Sequence, residues 1–230
     1  MSWLDLPRVP EPETMDDTGE VEAYASAAAQ AHLDSIDDTF VDHAVRLLGG
    51  RPTGRALDIG TGPGQIVLKL AERLPAWEFT GVDRSPNMIA AARRGLLEKP
   101  VLARRVTFQV ADGNLLNFPD RNFDLVTCNS VLHHLAEPLR VLREMARLPK
   151  PDGAVLLRDL RRPSRLAYPF HVRWHGRNYS GGMLRLFRAS VRAAYTLAEL
   201  EDLLRSAPFP GARVFRFRGA HLGAERAAGE

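Results

Sequence analysis

The segment Leu57-Asp58-Ile59-Gly60-Thr61-Gly62-Pro63-Gly64 places one acid and three alternating glycines between a short apolar run and the start of a helical pattern. Glycine tolerates a left-handed backbone and lets the chain come close to a ligand, and the first turn of a helix offers unpaired N–H groups. A dinucleotide-binding turn would read G-x-G-x-x-G and put its third glycine at position 65, where this chain has Gln65. Asp58 would repel a pyrophosphate but attract an ammonium group, directly or through water. A second feature is a run of nine arginines, Arg158, Arg161, Arg162, Arg165, Arg173, Arg177, Arg185, Arg188 and Arg192, against one acid, Asp159. Such a run is commonly a solvated face, and otherwise a site for an anionic group. The single cysteine, Cys128, excludes an internal disulfide or a cysteine-built zinc cluster. It lies in a strand-like apolar run, where a thiol behaves as a small hydrophobe rather than a nucleophile.

The frame for these residues is one α/β domain. At 230 residues, 45% hydrophobic and 26% charged, the chain can bury a sheet on both faces. Residues 1–20, rich in Pro, Asp and Glu, read as extended, and 21–48 as helical, with Asp37 or Asp38 as a cap before Phe40 and Gly49-Gly50 as the stop. Strand Arg55–Ile59 and helix Gln65–Leu74 flank the glycine turn, followed by strand Glu78–Val82 and helix Asn87–Leu97. Val106–Val110 and Phe123–Cys128 are further strands, Leu139–Arg147 a helix, Pro149–Gly153 a turn and Ala154–Leu160 a fifth strand. This alternation implies right-handed βαβ units and a largely parallel sheet that binds ligands at the carboxyl ends of its strands.

After Leu160 the rhythm breaks into a helical insert over 161–195 that reads as a lid. Thr196 then caps a helix Leu197–Ser206, with Glu199 completing a capping box, and Ala212–Phe217 and His221–Arg226 make two last strands. The domain thus comprises a cap region 1–50, a core 51–160, the insert 161–195 and a closing segment 196–230. No apolar run reaches the roughly 18–20 residues that span a bilayer, and the first residues are acidic. A cytoplasmic location without a membrane partner is therefore expected.

The acid followed by G-x-G-x-G resembles the first motif of the class I S-adenosylmethionine-dependent methyltransferases. The resemblance is strongest over residues 40–160, where three further elements follow in order. Asp83 ends the second strand, Ala111-Asp112-Gly113 follows the third, and Phe123 through His134 is similar to the fourth-strand motif of small-molecule members. Lys150-Pro151-Asp152-Gly153-Ala154 looks like the turn before strand five, with Asp where Gly is more usual. The resemblance implies a Rossmann-like, doubly wound, mainly parallel seven-stranded sheet with helices on both faces, an N-terminal helical cap and a helical insert after strand five. It implies S-adenosyl-L-methionine as cofactor and S-adenosyl-L-homocysteine as product.

By the same resemblance, Asp83 would accept hydrogen bonds from both ribose hydroxyls and Asp112 from the adenine amino group. Gly60, Thr61, Gly62 and Gly64 would carry the turn beside Asp58. Arg84, Ser85 and Met88 would follow Asp83, with Ala111, Gly113, Asn129 and Ser130 completing the pocket and Tyr24 folding over its methionine end. The sequence Asn129-Ser130-Val131-Leu132 departs from the Asn/Asp-Pro-Pro-Tyr of enzymes that methylate exocyclic amines. His133 and His134 are candidates for a general base. His134, Arg161, His171, Trp174 and Arg188 are candidate acceptor contacts, and no metal is required because a sulfonium methyl is already activated. The expected acceptor is a small molecule, anionic if the arginines line its pocket. The alternative is an RNA or other nucleic-acid methyltransferase or binding protein using the basic 158–192 segment, which carries no recognisable nucleic-acid-binding motif. A monomer or homodimer is expected.

Overall fold

A computed structural model describes residues 3–11, 31–207 and 209–229; Tyr24 lies outside the described residues. Helix α1 (Ala31–Leu47) precedes strand β1 (Gly54–Ile59), α2 (Gln65–Arg73), β2 (Trp77–Asp83), α3 (Pro86–Leu97) and β3 (Val106–Val110). Then come β4 (Phe123–Asn129), a 3₁₀ turn (Leu132–His134), α4 (Pro138–Arg147) and β5 (Pro149–Leu160). The insert forms α5 (Tyr168–His175) and α6 (Gly181–Ala193), and α7 (Leu197–Ser206), β6 (Arg213–Phe217) and β7 (His221–Arg226) close the chain. The seven strands lie in the order β3-β2-β1-β4-β5-β7-β6, with β7 antiparallel to both of its neighbours and the other pairings parallel. Strand order reverses between β1 and β4, the position where open α/β sheets bind ligands.

Each face of the sheet has its own core. Phe40, Leu70, Trp77 and Ile89 bring α1, α2 and α3 onto one face, and Val141, Leu142, Met145 and Leu200 bring α4 and α7 onto the other. Neighbouring residues of β1, Ala56 and Leu57, belong to opposite clusters, which is why this strand is a continuous apolar run rather than an alternating one. Thr196 caps α7: its hydroxyl accepts from the Glu199 N–H, and the Thr196 N–H donates to Glu199 Oε2 at 2.7 Å.

Two boundaries differ from those expected. Asp37 and Asp38 lie inside α1 rather than at its start, and Asp38 accepts from Lys69 Nζ of α2 at 2.8 Å. Its carboxylate links two helices instead of capping one. The Pro149–Gly153 segment, expected as a turn, is part of β5. Phe123 pairs with Pro149 and Leu125 with Ala154, so two residues of β4 span five of β5 and the turn residues form a bulge.

The arginine run does not form a single patch. Arg158 is buried on β5, donating to Asn129 Oδ1 (3.1 Å), Thr39 Oγ1 (2.8 Å) and the Ile36 carbonyl (3.0 Å). Its guanidinium lies 4.8 Å from the Phe40 ring centroid. Burial pushes its pKa down to about 10, which leaves it charged at neutral pH. It therefore ties α1 to the end of β4. Arg162 is also buried, donating to the Ala194 carbonyl and Glu199. No helix among the described residues is long and apolar enough to cross a membrane.

Candidate active site

The carboxyl ends of β1, β2 and β4 open into a cavity of about 560 Å³. The three glycines of the turn do different work there. A Cβ on Gly60 (φ +73°) would meet Val131 at 2.3 Å, and one on Gly64 (φ +82°) would meet Phe108 at 2.6 Å. Close packing requires both glycines. Gly62 (φ +53°) has nothing within 4 Å of its Cβ direction and borders the cavity, so its missing side chain leaves room for a ligand.

The Gly62 N–H donates to Asp83 Oδ2 at 2.8 Å and the Ser85 N–H to Asp83 Oδ1 at 2.9 Å, which fixes the carboxylate at the end of β2. Ser85 in turn caps α3, its Oγ accepting from the Met88 N–H. Asp58 is buried and accepts from Thr127 Oγ1 at 2.7 Å. Burial pushes its pKa up to about 6 despite that bond. A cation placed beside it would favour the carboxylate form and lower that pKa. Ser130 takes a left-handed backbone (φ +57°) just beyond β4, uncommon for a residue with a side chain.

At the other end of the cavity, His133 is buried with its Nδ1 2.5 Å from Asp159 Oδ1, and its N–H donates to Asp159 Oδ2 at 3.0 Å. We assign the imidazole proton to Nδ1 from this contact, leaving the Nε2 lone pair outward. Burial opposes protonation of His133, but the Asp159 charge and hydrogen bond outweigh it and raise the pKa above the ordinary imidazole value. His134 behaves oppositely. Burial, reinforced by His133, pushes it down to about 3, so the 3.2 Å contact of its Nδ1 with Glu11 is the hydrogen bond of a neutral ring. Ligand atoms of Glu11, His133 and His134 lie within 4.8 Å of one another, a spacing able to hold a metal ion as well as a proton.

A methyltransferase-domain family matches residues 57–157. The ubiquinone/menaquinone biosynthesis C-methyltransferase UbiE of Desulfotalea psychrophila is 30% identical over 187 residues, covering 76% of this chain and 73% of the relative. The chain belongs to the class I S-adenosylmethionine-dependent methyltransferases. The uncharacterized methyltransferase YcgJ of Bacillus subtilis is 36% identical over 135 residues, 54% of this chain. The chain spans about half the length of such curated relatives, 52% for YcgJ. The solved structure of YcgJ aligns with a TM-score of 0.58 at 28% identity, covering 78% of this chain and 68% of YcgJ. A Methanococcus maripaludis structure shares the fold at a TM-score of 0.72 and 14% identity, covering 96% of this chain and 98% of that one.

The residues of this methyltransferase fit the family's cofactor on structural grounds: open space at Gly62, a fixed carboxylate at Asp83, and a buried carboxylate at Asp58 whose charge a cation would stabilise. Asp58, Gly60, Thr61, Gly62, Asp83, Arg84, Ser85 and Met88 all border the cavity, as do Ala111, Asp112, Gly113, Asn129 and Ser130. Gly64 does not; it serves the packing of α2 on Phe108. Among the candidate acceptor contacts, His134 and Trp174 border the cavity together with His133. Arg161, His171 and Arg188 lie outside its wall. Arg161 donates to the Gly219 carbonyl, His171 is buried against His175 with ring centroids 4.6 Å apart, and exposed Arg188 borders a separate depression.

Sequence reasoning missed Glu11, Asp37, Arg218 and His221 in the wall, and Asp159 behind it. Only Asp159 left a signal, as a charge inside an apolar strand. Cys128 is fully buried, and burial raises its thiol pKa well above normal, as an inert thiol requires. Because Asp58 must be ionised to meet an ammonium group, S-adenosylhomocysteine affinity is expected to be full at pH 7.5 and to fall at least tenfold by pH 5. Calorimetry at the two pH values measures this, and equal affinities would remove Asp58 from the site.

Proposed function

We propose that this methyltransferase transfers the methyl group of S-adenosylmethionine to a small acceptor built on an aromatic ring with an ionisable hydroxyl. The observation that carries the reading is His133, held by Asp159 at Nδ1 with Nε2 3.9 Å from Glu11 Oε2, in the wall of a cavity that Trp174, Tyr179, Phe187 and Phe217 also line. Arg177, Arg218 and His221 supply polar groups in the same wall, which suits an acceptor that is anionic once deprotonated. His221 Nδ1 is buried without a hydrogen-bond partner among the described residues. The relatives named for ubiquinone biosynthesis include both a C-methyltransferase and an O-methyltransferase. A deprotonated phenol is nucleophilic at oxygen and at its ortho and para carbons, so one base serves either outcome.

The sulfonium, when bound, supplies a methyl group already activated for in-line displacement. The chain's own work is alignment and proton handling. Asp58, Asp83 and the glycine turn hold the donor, and the α5–α6 wall holds the acceptor ring, an alignment that contributes up to about 7–11 kcal/mol. His133 takes the acceptor proton at Nε2 while Asp159 steadies the Nδ1–H and the resulting imidazolium. We read the chain as one domain in which the 161–195 insert sets acceptor specificity. The nucleic-acid alternative has less support, since Arg158 and Arg162 are interior.

The test has two arms. Calorimetry should show saturable binding of S-adenosylmethionine and S-adenosylhomocysteine but not NADH. Incubation with methyl-labelled S-adenosylmethionine should then label a hydroxynaphthoate and leave total RNA unlabelled. Binding without labelling of a panel of hydroxylated naphthoates and benzoates would overturn the acceptor class; NADH binding alone would overturn the cofactor.

A further inference from the structure

Ten large hydrophobic side chains are prominently exposed among the described residues, and half of them gather at one place. Leu166, Phe170 and Trp174 are 60%, 74% and 66% exposed and recur every four residues. The Tyr168 N–H bonds to the Ser164 carbonyl and the His171 N–H to Ala167, so the helical rise begins before α5 and the three side chains share its outer face. The opposite face, with His171 and Val172, is buried. The Arg165 N–H donates to the Leu4 carbonyl, which brings the exposed pair Trp3 and Leu4 alongside Leu166. An apolar group this concentrated is not the scattered exposure usual on a monomer.

Among the described residues, the charges around it are mainly positive. Arg165 and Arg173 are exposed on the same helical stretch, Arg177 in the turn after it, and Arg185 and Arg188 on α6. No Asp or Glu occurs between Leu160 and Ala198. Asp5 is the nearby exposed acid of the amino-terminal segment; Glu11 is directed to His134. Trp, Phe and Leu on the outer face of a short helix, flanked by arginines, is the pattern of a segment lying in the plane of a membrane interface. Nucleic acid would use the arginines but leave Leu4 and Leu166 without a role. Trp174 also borders the cavity, with the Arg177 guanidinium 4.9 Å from its ring centroid, so one end of the patch reaches the cavity wall.

We propose that the face formed by Trp3, Leu4, Leu166, Phe170 and Trp174 docks peripherally on an anionic lipid bilayer, so that an acceptor dissolved in the lipid enters past Trp174. Such docking needs no spanning helix, and none occurs among the described residues. Docking itself does not depend on the acceptor assignment and is read without catalysis.

The experiment is sedimentation of the purified full chain with vesicles of equal phosphatidylglycerol and phosphatidylcholine, and with phosphatidylcholine alone. Binding should be at least tenfold tighter to the anionic vesicles and weaken with added salt. Emission from the exposed Trp3 and Trp174 should shift to the blue, since Trp77 is already buried. Leu166→Ser with Phe170→Ser, neither of which borders the cavity, should lose at least tenfold in vesicle binding and keep S-adenosylhomocysteine affinity within twofold. Arg165→Glu should weaken binding about fivefold or more. Absence of sedimentation with anionic vesicles, equal binding by the double serine variant, or release of the protein from vesicles by polyuridylate with no emission shift would overturn the proposal.

Discussion

Gly62→Arg abolishes S-adenosylmethionine binding and leaves the chain folded. Nothing lies within 4 Å of the Cβ direction, so the new side chain meets no wall and occupies the cavity itself. The fold bears only the cost of a side chain at φ +53°, about 1–2 kcal/mol. Cofactor affinity should fall more than 100-fold by calorimetry, with a single cooperative unfolding transition retained. Gly60→Ala and Gly64→Ala are the contrasting variants: their Cβ atoms run into Val131 and Phe108, so they should lose stability before affinity can be assigned. Retained binding in folded Gly62→Arg would remove the glycine turn from the site. Asp83→Ala, which deletes the acceptor of the Gly62 and Ser85 N–H groups, should lose binding in parallel.

The second large effect belongs to the acceptor end. His133→Ala should lower the transfer rate by about 10²–10⁴, the range for a lost general base, with cofactor affinity unchanged. His134→Ala should lower it far less, because His134 is neutral across the working range and does not titrate there. The pH profile separates a base from a packing residue. His133 must be deprotonated to accept the proton, and Asp159 raises its pKa, so the rate climbs with pH through a value above the ordinary imidazole range and then levels. Asp159→Asn removes the main opposing charge and leaves burial and Arg8 set against Glu11 alone. The rise then moves to lower pH, while the plateau drops because the Nδ1 tautomer is no longer enforced. A profile unmoved in Asp159→Asn would reduce the pair to a structural hydrogen bond.

The part of the cavity wall proposed for the cofactor was largely named from the chain, and the part proposed for the acceptor largely was not, for a physical reason. Asp58, Asp83, Asp112 and Asn129 stand at or just past the ends of consecutive parallel strands, so local patterning locates each strand end and parallel pairing aligns them. The acceptor wall has no such rule. Arg218 and His221 reach it because β7 runs antiparallel beside β5, pairing Leu160 with His221, and Glu11 reaches it through contacts of the amino-terminal segment with α6. Those are long-range pairings with no local signature. The arginines show the same limit: charge in sequence suggested one face, but Arg158 proved to be a cation enclosed by Phe40, Thr39 and Asn129. A strand residue with both neighbours apolar or acidic was the hint, since a charge amid Leu156, Leu157 and Leu160 must find partners inside.

Glu11 and His221 border the same cavity although 210 positions separate them in the sequence. A ribosome adding about 5–20 residues per second releases the Gly60–Gly64 turn many seconds before the β6–β7 hairpin. The nascent chain can pair β1, β2 and β3 while the acceptor wall is still being translated. Its two halves therefore mature at different times, the donor end early and the acceptor end only when the last hairpin docks on β5. During that interval a nascent methyltransferase could hold its methyl donor before the chamber that receives the acceptor is complete.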